Sequence, residues 1–265
     1  MDFTFLGTGD AFTTEPDNFQ SNGLIISDFP SVNDRRRKAR LLVDCGSDVR
    51  RSLKQQGLTH RDIDAVYISH LHSDHVGGME WLGFSTYFDP QCHKPLLFID
   101  ESLVGPIWDN CLKAGMELLD FGNGRLEDLF TVFSIPVGGA FEWGGATFAT
   151  IPAVHLTGGA DQMMSYGLLI DSYGTKTYFT ADVQFSPENL GPVYDAADRI
   201  FHDCETNPNR TGGHSHVDDL VTLPEAVRRK MWLYHYQPVE IAPAVRSAFG
   251  GWVKAGQTFN IGKNE

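Results

Sequence analysis

The sequence predicts a layered α/β protein folded as one domain over residues 1–265, and three observations carry that prediction. Short apolar, β-branched runs end repeatedly in glycine or in a chemistry-bearing polar residue, as Ala65-Val66-Tyr67-Ile68 does before Ser69-His70. Helical periodicity fills several of the intervals between those runs, the alternation expected where helices cover a sheet. The chain has 265 residues, 42% of them hydrophobic, which suffices for one large core, whereas two domains would leave each half unusually small.

Taken in order, Phe3-Thr4-Phe5-Leu6 alternates as an opening strand and stops at Gly7-Thr8-Gly9-Asp10-Ala11. That turn either lies against a ligand or is only tight. Gly23-Leu24-Ile25-Ile26 and Arg40 to Gly46 read as two further strands, joined through Asp28 to Lys38. The basic cluster Arg35-Arg36-Arg37-Lys38 in that connection reads as a solvated tip. Ser47 or Asp48 is placed to cap a helix that ends at Gly57. Trp81, Phe84, Tyr87 and Phe88 recur at roughly helical spacing and are expected mostly in the core. Leu96 to Ile99 reads as a buried strand, Leu103 to Leu119 as a helix despite Pro106, and Phe141 to Thr150 as a hairpin turning at Gly144-Gly145.

The densest chemistry lies in Ser69-His70-Leu71-His72-Ser73-Asp74-His75, directly after a predicted strand. In a chain still partly extended, His70 and His72 at i, i+2 point the same way and can grip one cation. Asp74 and His75 follow a turn, which lets them face a second. Imidazole and carboxylate together suit Zn²⁺ and its first-row neighbours, Mn²⁺ among them. Three more candidates stand at strand ends: His155 after Ala146 to Ile151, Asp182 after Lys176 to Ala181, and His235 after Lys230 to Tyr234. Together they supply a third histidine for one cation, a bridging carboxylate, and a further histidine for the other, leaving an open position for water.

Composition narrows the partners. A net charge of −13 repels polyanions, so a long nucleic acid is a disfavoured ligand. The four cysteines, Cys45, Cys92, Cys111 and Cys204, form no CxxC pair, and no signal peptide is apparent, which together read as free thiols in a reducing cytoplasm. No apolar run approaches the ~20 residues of a transmembrane helix, so no membrane association is expected.

With these residues in view, the chain resembles the metallo-β-lactamase superfamily, and within it the ribonuclease Z-like branch. The resemblance rests on Gly7-Thr8-Gly9, Leu42-Val43-Asp44-Cys45-Gly46, the HxHxDH cluster at 70–75, His155, Thr180-Ala181-Asp182, Gly213-His214-Ser215 and Leu233-Tyr234-His235-Tyr236. It implies an αββα sandwich with two Zn²⁺ per chain, one held by His70, His72 and His155, the other by Asp74, His75 and His235, with Asp182 bridging. The Gly-His-Ser match points toward phosphodiesters. His214 and Asp74 would then be catalytic; His214 would protonate the leaving oxygen or bind charge on phosphorus, oriented by Asp203 or Glu205, with His216 assisting. His202, His60 and His93 have no comparable context.

Ribonuclease Z enzymes that process tRNA carry a basic arm, in short bacterial forms between the equivalents of His155 and Asp182. Only 26 residues separate those two here, so no arm is expected. Ile200 to Thr206, Gly213 to His216, Leu223-Pro224 and Tyr234 to Gln237 are similar to the anti-Pycsar proteins of phages and their bacterial relatives. That resemblance implies a cytoplasmic enzyme of a bacterium or phage-infected cell that opens 3′,5′-cyclic mononucleotides, such as cyclic CMP and cyclic UMP, and removes an immune signal. A tRNA 3′ endonuclease and a non-catalytic nucleotide-sequestering protein are the competing readings. The family also implies a homodimer, with the 28–40 or 157–164 loop near the shared surface.

Overall fold

In the computed structural model, which describes residues 1–120 and 122–262, the apolar runs build two seven-stranded sheets. The first half of the chain forms β1 (Asp2–Phe5), β2 (Gly23–Pro30), β3 (Lys38–Val43), β4 (Ala65–Ile68) and β5 (Leu96–Asp100). A small ribbon, β6 (Leu118–Leu119) and β7 (Gly122–Asn123), precedes β8 (Thr131–Ile135). The second half forms β9 (Ala140–Trp143), β10 (Ala146–Gly158), β11 (Asp161–Ser172), β12 (Thr175–Phe179), β13 (Arg199–Asp203), β14 (Met231–Tyr234) and β15 (Gly251–Trp252). Finally β16 (Thr258–Asn260) returns to the first sheet, giving the orders β16-β1-β2-β3-β4-β5-β8 and β15-β14-β13-β12-β11-β10-β9.

Period-two alternation explains the layering. On β4, Ala65 and Tyr67 face the space between the sheets, where they meet Phe3, Phe5, Phe148, Phe179 and Phe201. Val66 and Ile68 point the other way and pack under Leu53, Met79 and Leu82 of the helices Val49–Gln55 and Met79–Tyr87. In the second sheet Phe201 turns inward, while Tyr178, Ile200 and Leu233 pack outward against Leu190, Tyr194 and Val227. The result is the four-layer αββα sandwich, and the run at 65–68 is apolar throughout because both its faces are covered. Between the sheets the rings interlock, Phe5 edge-on to Phe201 at 4.9 Å and Phe98 stacked on Phe141 at 4.2 Å. Each ring buried this way contributes roughly 1.5–3 kcal/mol relative to exposure.

Strand direction positions the site. The pairs β3–β4, β12–β13 and β13–β14 are parallel, so the carboxyl ends of these strands gather at one edge of the sandwich, where open α/β sheets bind ligands.

Several local expectations change. Asp48 stands at the helix start without capping it, because its Oδ2 accepts the Gln20 N–H instead. Arg37 is not solvated: its guanidinium lies on the buried Asp64 carboxylate at 2.7 and 2.9 Å, which ties the β2–β3 connection to the sheet. The helix expected over 103–119 begins at Glu101, where the Asp100 carboxylate caps it, passes through a π-helical stretch at Ile107–Leu112 and ends at Met116. Phe88 is exposed, and Trp81, Phe84 and Tyr87 are only half-buried. The Gly144-Gly145 turn forms as expected, both residues with positive φ, but β10 runs on to Gly158 and carries Pro152 and His155 inside it. Among the described residues no helix is long and apolar enough to cross a membrane.

Candidate metal centre

Every residue of the proposed ligand set reaches one edge of the sandwich. His70 and His72 follow β4, and Asp74 and His75 lie on the single helical turn Ser73–Val76 behind them. That turn packs against Cys45-Gly46, whose backbone it touches through Cys45 N–H to His75 C=O at 2.7 Å. A Cβ on Gly46 would sit 2.1 Å from the Asp74 carbonyl oxygen, so only glycine fits there. His155 enters where the β10–β11 register slips between Val154 and Leu156, a bulge that re-aims a side chain at a strand edge. Asp182 follows β12 and His235 follows β14. Three of the four non-glycine residues with positive φ among the described residues are Asp44, Ala181 and His235, all just past strands that feed this edge. Each such conformation costs roughly 1–2 kcal/mol and persists because the surroundings over-determine it.

Two groups result, sharing one carboxylate. In the first, His72 Nδ1 stands 3.2 Å from His70 Nε2 and 3.0 Å from His155 Nε2, with Asp182 Oδ2 at 3.8 and 3.9 Å from those last two nitrogens. In the second, His75 Nε2 lies 3.0 Å from Asp74 Oδ2 and 3.1 Å from Asp182 Oδ2, and His235 Nε2 lies 3.3 and 3.4 Å from the same two oxygens. All of these side chains are buried except His72, which is partly exposed.

Proton bookkeeping tests whether the set fits a metal. His155 Nδ1 faces the Gly213 carbonyl at 2.7 Å and must donate to it, which strips its Nε2 of a proton. Ser69 Oγ gives its own proton to Asp44 Oδ2 at 2.8 Å, so it accepts from His70 Nδ1 at 3.1 Å, which leaves His70 Nε2 bare as well. Lone pairs therefore converge in the first group. They repel one another unless a cation stands among them. Burial lowers the proton affinity of His70, His72 and His155, which keeps these imidazoles neutral as ligands must be.

The second group demands positive charge in another way. Burial works against protonated His75, yet Asp182, Asp74 and Asp44 hold its pKa well above the ordinary value. His235 is raised too, by Asp182 and Asp74 against the same burial. Asp182 Oδ1 is buried and, among the described residues, has no hydrogen-bond partner. The donor set fits divalent cations of the zinc type in both groups.

At the rim, His214 Nδ1 lies 3.0 Å from Asp203 Oδ2, and the imidazole stacks on His235 with ring centres 4.8 Å apart. Burial opposes its protonation, but the Asp203 carboxylate, by hydrogen bond and charge, pushes its pKa up to about 10. The Val183 N–H anchors Asp203 Oδ2 in turn, at 2.9 Å.

Glu205 and His216 are placed differently from expectation. Glu205 does not touch His214; both its oxygens accept the Thr211 N–H, pinning the loop that carries Gly213 and His214. His216 Nδ1 caps the following helical turn by accepting the Asp218 N–H. Sequence reasoning gave no role to Asp44, which binds Ser69 N–H at 2.8 Å and His75 Nδ1 at 2.8 Å and so orients a ligand. The signal was available: Asp44 ends β3, the parallel neighbour of the strand that delivers His70. As expected, His202 is structural, buried against the Tyr194 hydroxyl at 2.7 Å, and His93 is exposed.

Against known proteins, the family profile described as anti-Pycsar protein Apyc1 matches residues 1–259. An anti-Pycsar protein Apyc1 of Paenibacillus harenae is 34% identical over 238 residues, covering 89% of this chain and 90% of the relative. Another from Bacillus phage vB_BsuM-Goe3 is 30% identical over 247 residues, covering 88% of each. Among solved structures, the metallo-β-lactamase fold protein YhfI from Bacillus subtilis superposes with TM-score 0.71 at 18% identity, covering 98% of this chain and 99% of that one. The short form of human tRNase Z does so with TM-score 0.67 at 18% identity over 98% and 99% of the two chains. At such identities the structural likeness carries the fold alone.

Proposed function

The chain belongs to the anti-Pycsar protein Apyc1 family, and from that premise we propose that it is a metal-dependent phosphodiesterase that opens 3′,5′-cyclic mononucleotides to nucleoside monophosphates in the cytoplasm of a bacterial or phage-infected cell. The observation that carries the reading is the convergence of seven His and Asp donors beside an imidazole whose proton a carboxylate retains. His70, His72, His155 and Asp182 would hold one cation, and Asp74, His75, His235 and Asp182 the other, zinc being the natural occupant. Cations there supply Lewis acidity, polarising phosphoryl oxygens and making water acidic enough to attack near neutral pH.

The protein's own groups do the rest. Asp182 faces both groups and would set their separation. Asp44 and the Gly213 carbonyl hold His75 and His155 by their outer nitrogens, so the rings cannot turn away. His214, kept protonated by Asp203, would donate its proton to the ester oxygen as it leaves phosphorus, or pair with the charge developing on that oxygen. Glu205 would act through the loop rather than on the substrate.

Two features disfavour precursor tRNA. β10 and β11 are joined tightly, with Gly158 paired to Asp161, so no arm extends between His155 and Asp182. The overall charge is −13, which opposes a long polyanion. The deciding experiment incubates the protein, with and without chelator, with a cyclic nucleotide panel and with precursor tRNA. Chromatography should show nucleoside monophosphates that disappear with chelator and leave tRNA intact. Cleavage of tRNA alone, or binding of a nucleotide without product, would replace this reading by the endonuclease or the sequestering one. His214→Ala should slow turnover by roughly 10²–10⁴-fold while metal content stays intact.

We also propose that two chains associate through the 28–40 segment, where Phe29 and Val32 are exposed beside a cleft of about 380 Å³ that includes Trp143. Sedimentation should then give a dimer for the native chain and a monomer for Phe29→Glu.

A further inference from the structure

A cleft of about 400 Å³ adjoins the metal centre, with apolar walls from Leu71, Leu103, Met163 and Met164 and polar ones from Ser102 and Tyr166. Its position is fixed by two links. Leu71 lies between the candidate ligands His70 and His72, and the Tyr166 N–H donates to the Ser69 carbonyl at 3.1 Å. A group bound there would be within reach of a phosphodiester seated at the cations. The volume suits a nucleobase, and the thioether walls suit a flat aromatic ring.

The polar wall is directional. Ser102 Oγ donates to Asp100 Oδ1 at 2.7 Å, while the Ser102 N–H binds the same oxygen at 3.0 Å. With that proton spent, Ser102 Oγ accepts from the Tyr166 hydroxyl at 2.7 Å. The Tyr166 proton therefore points away along the relay, and its phenolic oxygen keeps only lone pairs to offer. Asp100 is fully buried, and among the described residues its Oδ2 has no hydrogen-bond partner. An uncompensated carboxylate at the end of a hydrogen-bonded chain polarises the whole chain and strengthens the terminal acceptor. Burial raises the Tyr166 pKa, so the group remains a hydroxyl.

We propose that this cleft seats the base of the cyclic nucleotide and that the Tyr166 phenolic oxygen accepts a hydrogen bond from an exocyclic amino group, so that amino-bearing bases are preferred over their oxo counterparts. The inference rests on the phosphodiesterase reading and adds to it a rule for the base. An oxo group facing that oxygen would set two acceptors against each other, which costs more than a missing contact.

Cyclic CMP and cyclic UMP test the rule, since the 4-position carries an amino group in one and an oxo group in the other. Bis(p-nitrophenyl) phosphate, which has no base, gauges the metal centre in each protein. The native chain should favour cyclic CMP in kcat/KM by roughly tenfold or more. Tyr166→Phe keeps the ring and the backbone bonds and should bring the two substrates within about threefold. Ser102→Ala lies on an exposed residue and frees the Tyr166 proton to face the cleft, so it should move the ratio toward cyclic UMP. Equal turnover of the pair by the native chain, or a ratio that neither variant alters, overturns the base rule and leaves the phosphodiesterase reading standing. Cleavage of bis(p-nitrophenyl) phosphate with no turnover of any cyclic nucleotide overturns both.

Discussion

The two halves of the metal centre are built on opposite electrostatics. Around His70, His72 and His155 there is one shared carboxylate, and burial leaves three imidazoles with lowered proton affinity. Around His75 and His235 stand Asp74, Asp182 and Asp44, and their charge overcomes the same burial. The first half repels protons and awaits a cation. The second attracts either, so there a metal must displace protons. Within one site, the count of carboxylates decides how strongly acidity competes with metal binding.

The largest expected effect follows from removing the group both halves share. Asp182→Ala should abolish hydrolysis and reduce the metal content of both positions, read by elemental analysis after desalting. Retention of two cations by that variant would mean that the halves do not depend on a common carboxylate. His72→Ala should also abolish hydrolysis but take metal from the first half only, leaving about one cation per chain.

Acidity should separate the halves next. The sign follows from the direction of the shifts: groups with raised proton affinity take up protons first as pH falls. Metal should thus leave the His75–His235 half at higher pH than the His70–His155 half, giving two steps in metal content against pH. A single step would show that the halves titrate as one unit.

Smaller effects come from the supports. Asp44→Asn keeps the shape but weakens the hold on His75, and should lower metal affinity of the second half by roughly 10–100-fold. Asp203→Asn removes the charge that sustains protonated His214. Its pKa should fall from about 10 toward the ordinary value, and the basic limb of the pH–rate profile should move to lower pH with it. An unmoved limb would assign that limb to another group.

Much of this was legible because strand ends and ligands coincide along the chain. An apolar run that stops at His70, Asp182 or His235 announces both a strand and a rigid platform, and period two assigned the run at 65–68 to a sheet covered on both faces. Less legible were features that arise between segments distant in sequence. Asp44 is 31 positions from His75, and nothing local says that its carboxylate will meet that imidazole. Arg37 looked like one of four solvated cations, yet it pairs with Asp64, 27 residues away. Glu205 and His216 carried the right chemistry in the right neighbourhood, but backbone N–H groups at Thr211 and Asp218 claimed their acceptors.

The sequence by itself determined the layered fold and which donors could serve a cation, because side-chain periodicity and ligand chemistry are local properties of the chain. Only the tertiary structure decided which nitrogens carry protons, which half of the centre competes with acid, and which hydroxyl faces the adjoining cleft. Those outcomes depend on burial and on hydrogen-bond direction between strands that meet only when the two sheets close on one another.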